Sequence, residues 1–329
     1  MSLLNDVETI ILYTGSNGKK GCTCKCLGCY MGSYSKGKSM YQGNMTQISE
    51  LVEMLPNLKK VLLFGNPDIS VDPEFCNEVA KYLQLHNLRL YFWTSGIGGA
   101  EIIDKVLEGI DPMNVGKIGF SVDTLDNYKL SVLKGTKFSM EKLIEGIEFC
   151  NKKGIHTIIM PTIWSLNADE DWGAFKNFFE KYNVSEISGH FGSVESAEEC
   201  LAHVPEDMVI KIRNEFKKIG TIPYCLVTDS EYLEYKSSFK SKCSDGAGVI
   251  HVYLEKDGIK ASVSCSVLTT IYPEYIVDIK NLKLPIFSEW ESCPIIEKAV
   301  GYTCKELRPI CRYHKIFFPG HEKINYGSS

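Results

Sequence analysis

Between residues 9 and 190 the sequence alternates short β-rich runs with amphipathic helical runs. The predicted strands cover residues 9–13, 60–64, 88–93, 117–122, 156–161 and 185–190. The helices predicted between them cover residues 47–55, 73–85, 100–107, 140–153 and 172–182. Strands that alternate with helices form a parallel sheet with right-handed crossovers. Six such units predict an α/β fold, a partial (β/α)6 barrel of the TIM type.

After residue 200 this rhythm changes. One more helix is predicted at 205–219, followed from residue 230 by short strands and two Asp-Gly turns, Asp245-Gly246 and Asp257-Gly258. We therefore predict a barrel over residues 1–229, a small α+β domain over 230–319 and a polar tail over 320–329.

Charge and hydropathy restrict the class of protein. The net charge of −5 argues against a broad surface for nucleic acid, and no apolar run is long enough to span a membrane. The first residues lack the basic and then apolar pattern of a secretory signal, so we expect a cytoplasmic protein whose thiols stay reduced. Thirteen cysteines are many for such a chain, and clustered thiols in a reducing compartment indicate metal binding.

The first cysteine cluster follows the first predicted strand. Cys22, Cys26 and Cys29 have the spacing C-x3-C-x2-C in a loop rich in small and basic residues. Three thiolates this close together in sequence can converge on an iron–sulfur cluster and leave one iron open. A zinc site is the alternative, because structural zinc prefers four ligands and Cys24 is available as the fourth.

This cysteine motif after the first strand of a β/α repeat resembles the radical S-adenosylmethionine (SAM) superfamily. Shorter matches follow at later strand ends, from residue 64 to residue 138. The resemblance implies SAM contacts, from the turn Gly65-Asn66-Pro67, from Thr94 and Ser95, and from Ser121 and Asp123. Lys134-Gly135-Thr136 stands where many members carry Arg-Gly. In a β/α barrel such strand ends carry the chemistry.

Two positions depart from the superfamily pattern. Gly28 replaces the usual aromatic residue before the third cysteine, which removes a stacking surface for adenine, and Tyr30 is the nearest substitute. Asn66 replaces an acidic residue, although the main-chain carbonyls of that turn could still accept from the SAM ammonium group.

The late cysteines resemble the SPASM or twitch extension of some superfamily members, in which a cysteine, a hairpin and a second cysteine begin an auxiliary iron–sulfur site. The resemblance implies a second [4Fe-4S] cluster held by Cys243, Cys265, Cys304 and Cys311, with Cys293 or His314 as a substitute ligand. Zinc and unligated thiols are the alternatives.

The resemblance therefore implies an oxidoreductase-type radical enzyme. A [4Fe-4S] cluster with one open iron would reductively cleave SAM to a 5′-deoxyadenosyl radical that abstracts a substrate hydrogen. An external one-electron donor such as flavodoxin or ferredoxin would supply the electron.

The substrate would be a peptide or protein side chain, or alternatively a small molecule such as an aminocyclitol or a nucleotide. We expect no peptide-recognition domain before the first strand, which makes the peptide class less favoured without removing it. A non-catalytic zinc or iron–sulfur scaffold is a further alternative. The sequence identifies no catalytic side chain beyond these ligands.

Overall fold

In the computed structural model, the residues described are 3–14, 22–29, 43–63, 68–187, 189–191, 204–219, 249–262 and 276–282. The strands in this part of the chain are β1 (Thr9–Tyr13), β2 (Lys60–Leu63), β3 (Arg89–Thr94), β4 (Val115–Phe120), β5 (Thr157–Ile159), β6 (Thr162–Ile163), β7 (Glu186–Ile187), β8 (His190–Phe191), β9 (Val249–Glu255), β10 (Gly258–Ser262) and β11 (Val277–Asp278). The α-helices are α1 (Met45–Met54), α2 (Pro73–Leu85), α3 (Gly99–Val106), α4 (Asn127–Lys134), α5 (Met140–Lys152), α6 (Trp172–Lys181) and α7 (Glu206–Ile219).

The main sheet follows the order β11-β10-β9-β1-β2-β3-β4-β5-β7 within the described residues. Neighbouring strands from β9 through β1 to β7 are parallel, and β10 and β11 are antiparallel additions at one edge. This confirms the predicted α/β fold with a parallel sheet, in which the carboxyl ends of β1 to β5 share one edge. Side chains of β3 and β4 such as Phe92 and Phe120 are fully buried in the core beneath the helices.

The fifth predicted strand is shorter than predicted, and the sixth is interrupted. Residues 156–161 give β5, and a separate strand β6 follows after Pro161, which cannot donate a main-chain hydrogen bond to a sheet. Residues 185–190 likewise give β7 and the start of β8. The short strands β6 and β8 pair with each other in a second small sheet. The strand predicted over 185–190 therefore changes sheets midway, and β6, which was not predicted, lies outside the main sheet.

Helix α4 was not predicted from the sequence. The Asp126 side chain accepts a hydrogen bond from the main-chain N–H of Lys129 and caps its start, and Gly135 ends it in the left-handed conformation (φ +58°). Both are ordinary helix boundaries, but the helix has only two turns and little apolar periodicity to reveal it. Its carboxyl end supports the cysteine loop described below.

The hairpin β9–β10 turns through Lys256 and Asp257, one residue before the predicted pair Asp257-Gly258, because Gly258 already pairs with Glu255. It lies in the main sheet, because β9 pairs with β1 along all five residues of that strand. The Gln47 side chain of α1 donates to the carbonyls of Glu255 (2.7 Å) and Gly258 (3.3 Å) and fastens the turn of the hairpin. The predicted boundary at residue 229 lies outside the described residues. In the described part of the chain, no helix is both long and apolar enough to cross a membrane.

Candidate active site

The loop that carries the first cysteines is fixed to the end of helix α4. The main-chain N–H groups of Lys25 and Leu27 donate to the carbonyls of Lys134 and Leu133, both at 2.9 Å. Gly135 makes this approach possible, because a Cβ atom there would lie within 3.0 Å of three Lys25 atoms. The left-handed glycine that ends the helix therefore also admits the cysteine loop.

The predicted cluster ligands are Cys22, Cys26 and Cys29, which all lie in this loop and are partly buried. The main-chain N–H of Cys29 donates to the carbonyl of Cys26 (3.2 Å), so the chain turns between the second and third cysteines. Cys29 packs against the stacked rings of Tyr13 on β1 and Tyr253 on β9, whose centroids are 4.7 Å apart. The third cysteine thus rests on the carboxyl end of the first strand.

Cys24 lies among the predicted ligands. Its thiol is buried and hydrogen-bonds with the thiols of both Cys22 and Cys26. The hydrogen bond from Cys24, burial and the nearby charge of Asp68 raise the pKa of Cys22. The hydrogen bond with Cys22 lowers the pKa of Cys24, but the bond with Cys26 and burial outweigh it and raise that pKa to about 11. A metal that binds at Cys22 would displace the proton of that thiol.

The donor set fits an iron–sulfur cluster. Thiolates are the usual ligands of such clusters, and the buried Lys134 ammonium group lies close enough to Cys26 and Cys24 to interact with their charge. In the described part of the chain, no three cysteine, histidine or carboxylate side chains already form a complete metal site.

Thr94 and Ser95, at the end of β3, are held by a residue that sequence reasoning did not select. The Asp68 carboxylate accepts from the Thr94 hydroxyl (3.1 Å), the Ser95 main-chain N–H (2.5 Å) and the Ser70 main-chain N–H (3.0 Å). Asp68 is buried, and its charge also acts on Cys22 and Cys24. Within the described residues no cation forms an ion pair with Asp68.

Ser121 and Asp123, beyond the end of β4, meet Lys134 of α4. The Lys134 ammonium group donates to the Ser121 hydroxyl and to the Asp123 carboxylate, both at 2.7 Å. The lysine and aspartate side chains are only 4% and 6% exposed. Burial lowers the pKa of Lys134, but the facing Asp123 carboxylate and the charge of Cys26 raise it further, to a value above the usual range. The lysine is therefore charged.

The second oxygen of Asp123 organises the loop after β6. It accepts from the main-chain N–H of Thr162 (2.8 Å), and the Asn167 amide donates to the main-chain carbonyls of Asp123 and Thr162. The Asn167 oxygen in turn accepts from the main-chain N–H of Trp164 (2.6 Å). One aspartate thus joins β4, α4 and β6 at the carboxyl edge of the sheet.

The described residues bring seven of the predicted site residues to this edge. They are Cys22, Cys26, Cys29, Thr94, Ser95, Ser121 and Asp123. The other predicted site residues lie outside the described part of the chain, namely Tyr30, Gly65, Asn66, Pro67, Cys243, Cys265, Cys304 and Cys311. Sequence reasoning missed Asp68 and Asn167. No local motif marks them, since each acts through a partner distant in sequence.

A known protein family matches the part of the chain that forms this edge. The sequence model of the radical SAM superfamily matches residues 17–178, which include the cysteine loop and the ends of β2, β3 and β4. The chain carries a radical SAM domain. The resemblance seen in the sequence is therefore confirmed for the barrel. No curated protein sequence matches the chain.

Solved structures share the fold of this chain. Native anSMEcpe with bound AdoMet is 15% identical and matches over 83% of this chain and 79% of its own, with a TM-score of 0.59. Its complex with AdoMet and the Cp18Cys peptide is 14% identical and matches over 94% of this chain and 96% of its own, with the same TM-score. At this identity the likeness shows a shared fold.

Proposed function

We propose that this radical SAM protein is an enzyme that cleaves SAM at a [4Fe-4S] cluster bound by Cys22, Cys26 and Cys29. One observation carries the proposal. The cysteine loop contacts the ends of β1 and α4, and the polar residues expected to bind SAM surround the same edge. In a β/α fold this is the edge where the strands deliver catalytic and binding groups. When bound, the cluster and SAM supply the reductive formation of a 5′-deoxyadenosyl radical.

The residues of the chain bind, orient and exclude water. Asp68 fixes the Thr94 hydroxyl and the main-chain N–H of Ser95, so that the end of β3 presents a preformed polar surface. The charged Lys134 lies between Asp123 and the cysteine loop, where it offsets negative charge brought by thiolates and by a carboxylate ligand. All these side chains are buried, which keeps water from a reactive radical.

The same thiols support a second candidate. Because Cys24 hydrogen-bonds with Cys22 and Cys26, four thiolates including Cys29 could hold zinc in a closed structural site. Such a chain would be a scaffold with no open metal position. The Cys24→Ser variant separates the two candidates, since it removes a ligand of the zinc site and leaves the three ligands of the open cluster.

The test uses anaerobically reconstituted protein. We expect brown protein that forms 5′-deoxyadenosine from SAM in the presence of dithionite. Changing Cys22, Cys26 and Cys29 together to Ala should abolish this product, while Cys24→Ser should retain it. Cys150→Ala is the matched control, because Cys150 is buried in the hydrophobic core on α5. Colourless protein that retains zinc, or product formation by the triple variant, would overturn the proposal.

For the substrate we propose a peptide or protein side chain. The support is that anSMEcpe, which shares this fold over nearly the whole chain, has been solved with bound peptides. A small molecule such as an aminocyclitol or a nucleotide is the alternative. The test compares how a peptide pool and a peptide-free metabolite pool raise 5′-deoxyadenosine formation above the substrate-free rate. Stimulation by the metabolite pool alone would reverse the assignment.

The rest of the proposal concerns electrons and location. We propose an auxiliary [4Fe-4S] cluster at Cys243, Cys265, Cys304 and Cys311 and an external donor such as flavodoxin or ferredoxin. About eight irons per chain would support two clusters and about four would remove the second. A cytoplasmic location is part of the proposal because thiolate ligands require a reducing compartment.

A further inference from the structure

Helix α4 and the two loops beside it expose a group of apolar side chains. Among the described residues seven large apolar side chains are exposed, and four of them belong to these three segments, namely Leu27, Tyr128, Val132 and Leu166. We call these four residues the α4 patch. Single exposed apolar side chains are common on any protein surface, but several on adjoining segments mark a site of interaction.

The cysteine loop brings Leu27 to the carboxyl half of helix α4. The main-chain N–H of Leu27 donates to the carbonyl of Leu133 at 2.9 Å, which places Leu27 close to Val132, the preceding residue of the helix. Tyr128 and Val132 are four residues apart and therefore share one face of α4. Leu27 is 47% exposed although it stands between two predicted cluster ligands. The α4 patch therefore begins on the cysteine loop itself.

The loop after β6 adjoins the start of helix α4. Lys129 forms ion pairs with Asp169 (3.2 Å) and Glu170 (2.8 Å) of that loop. Leu166 belongs to the same loop and is therefore held near this end of the helix. The exposed Asp126 caps the helix here. The negative charge of this surface thus lies at the start of α4, where Lys129 offsets part of it.

Positive charge lies at the other end of the α4 patch. Lys25 on the cysteine loop and Lys137, two residues after Gly135, are both exposed near the carboxyl end of the helix. The sequence has the same bias, because residues 9–49 include five lysines and no aspartate or glutamate in a chain whose net charge is −5. Four of these lysines lie outside the described residues. A partner that binds this end of the surface therefore carries negative charge.

We propose that the α4 patch, together with Lys25 and Lys137, binds an acidic one-electron carrier protein of the flavodoxin or ferredoxin kind, which reduces the cluster. The inference rests on the proposed function. Leu27 directly follows Cys26, so a carrier seated on Leu27 lies a few bonds from a predicted ligand, and electron transfer falls off steeply with distance. The docked carrier loses one electron, which the cluster gains, and no bond forms or breaks. Electron-transfer encounters use small interfaces with an apolar centre and a charged rim.

The test compares a reductant that must dock with one that need not. Formation of 5′-deoxyadenosine is followed with increasing concentrations of reduced flavodoxin and, separately, with dithionite. In Val132→Glu combined with Lys137→Glu, the flavodoxin concentration that gives half the maximal rate should rise at least about tenfold, because like charges then face each other. The rate with dithionite should stay within about twofold, because both positions are exposed on the surface.

A charge-matched variant separates docking from net charge. Leu85→Glu combined with Lys105→Glu makes the same change in charge, also at one exposed apolar residue and one exposed lysine. These residues lie at or near the carboxyl ends of α2 and α3, which precede β3 and β4, and so at the opposite edge of the sheet. This control should use flavodoxin as the original chain does.

Binding is also measured without turnover. Calorimetric titration of oxidised flavodoxin into the reconstituted protein gives the dissociation constant, and ferredoxin is titrated in parallel. We expect the original chain to bind more weakly at about 300 mM than at about 50 mM salt, because salt screens surface charges. At the lower salt concentration the variant with Glu at positions 132 and 137 should bind at least about tenfold more weakly than the original chain.

Iron content and melting temperature are measured for every variant, and Lys137→Glu alone replaces the double variant if the latter loses iron. The inference is wrong if the variant binds and uses both carriers as the original chain does, or if neither carrier supports the turnover that dithionite supports. It is also wrong if the variant loses stimulation by peptides under dithionite, which would indicate a substrate site. Conversion of a dimer to a monomer with unchanged carrier binding would instead indicate an interface between two copies of the chain, and would overturn it too. If the original chain forms no 5′-deoxyadenosine even with dithionite, the proposed function itself fails; in every other case it stands.

Discussion

The buried pair of Lys134 and Asp123 is the most sensitive point of the candidate site. Replacing Lys134 with Met keeps much of its length but leaves the Asp123 carboxylate, which is 6% exposed, without its cation. Among the described residues, its second oxygen then accepts from the Thr162 N–H alone. Removing one partner of a buried pair costs about 3–5 kcal/mol, because the remaining charge is uncompensated.

The assay is urea unfolding followed by far-ultraviolet circular dichroism. It measures the loss in the free energy of unfolding. In thermal unfolding of a domain of this size, the same loss corresponds to a fall of about 6–20 °C in melting temperature. Lys134→Met combined with Asp123→Asn should be more stable than Lys134→Met alone, because no buried charge remains. Lys105→Met is the control, since its ion pair with Glu101 is exposed, and it should leave stability almost unchanged.

The pH dependence adds a second check. The pKa of Lys134 is raised in the folded chain, so its contribution is complete below the pKa of an unfolded lysine and is lost only as pH rises through the higher folded value. The stability difference between Lys134→Met and the original chain should therefore be constant from about pH 6 to about pH 9. The reasoning would be refuted if Lys134→Met lowered the free energy of unfolding by less than about 1 kcal/mol. It would also be refuted if the losses of the two single variants simply added in the double variant.

Three further predictions concern the surroundings of the site. Gly135→Ala should reduce the iron retained after reconstitution, because the added Cβ would displace Lys25 and the cysteine loop. Gly154→Ala is the control, since Gly154 is also left-handed but has open space around it, and equal iron in both variants would contradict the contact. Cys150 should resist alkylation by iodoacetamide at about pH 8, because burial raises its pKa to about 12. Mass spectrometry of the native chain measures the labelled fraction, and rapid labelling would show that the helix opens. Gln47→Leu should speed hydrogen exchange in β9 and β10, because each lost hydrogen bond to the hairpin carbonyls costs about 1–3 kcal/mol, and unchanged exchange would show that β1 pairing alone holds the hairpin.

Local patterns in the sequence predicted the barrel well because each strand and helix carries its own periodicity. Helix α2 begins and ends at the predicted residues, since Asp72 caps it and Pro73 occupies its first position. The pairing of β9 with β1 was not predictable in this way. A hairpin can be recognised from its Asp-Gly turn, but the strand that it joins depends on contacts with a part of the chain far away in sequence.

Sequence patterns likewise predicted one part of the candidate site and missed another. The cysteine spacing and the order of the strand ends placed Thr94, Ser95, Ser121 and Asp123 at one edge, because parallel strands must align their carboxyl ends. Asp68 was not identified because its function as an anchor is visible only once β2 and β3 are adjacent. The resemblance to the superfamily pointed to Lys134. Its burial against Asp123 was not predictable, because it depends on helix α4, which the sequence did not reveal.

The substitution at Gly28 shows why a departure from a family pattern has to be interpreted in three dimensions. In the sequence it is a lost aromatic residue, and the nearest aromatic along the chain, Tyr30, is the natural replacement. In the fold, the Trp164 indole occupies the space that a side chain at position 28 would need. Trp164 can lie there because β6 is outside the main sheet and Asn167 joins the loop after β6 to Asp123. A glycine at position 28 is then a requirement of packing. The same contact fixes how the cysteine loop and the end of β4 lie relative to each other, so the glycine cannot be changed without also changing the tryptophan.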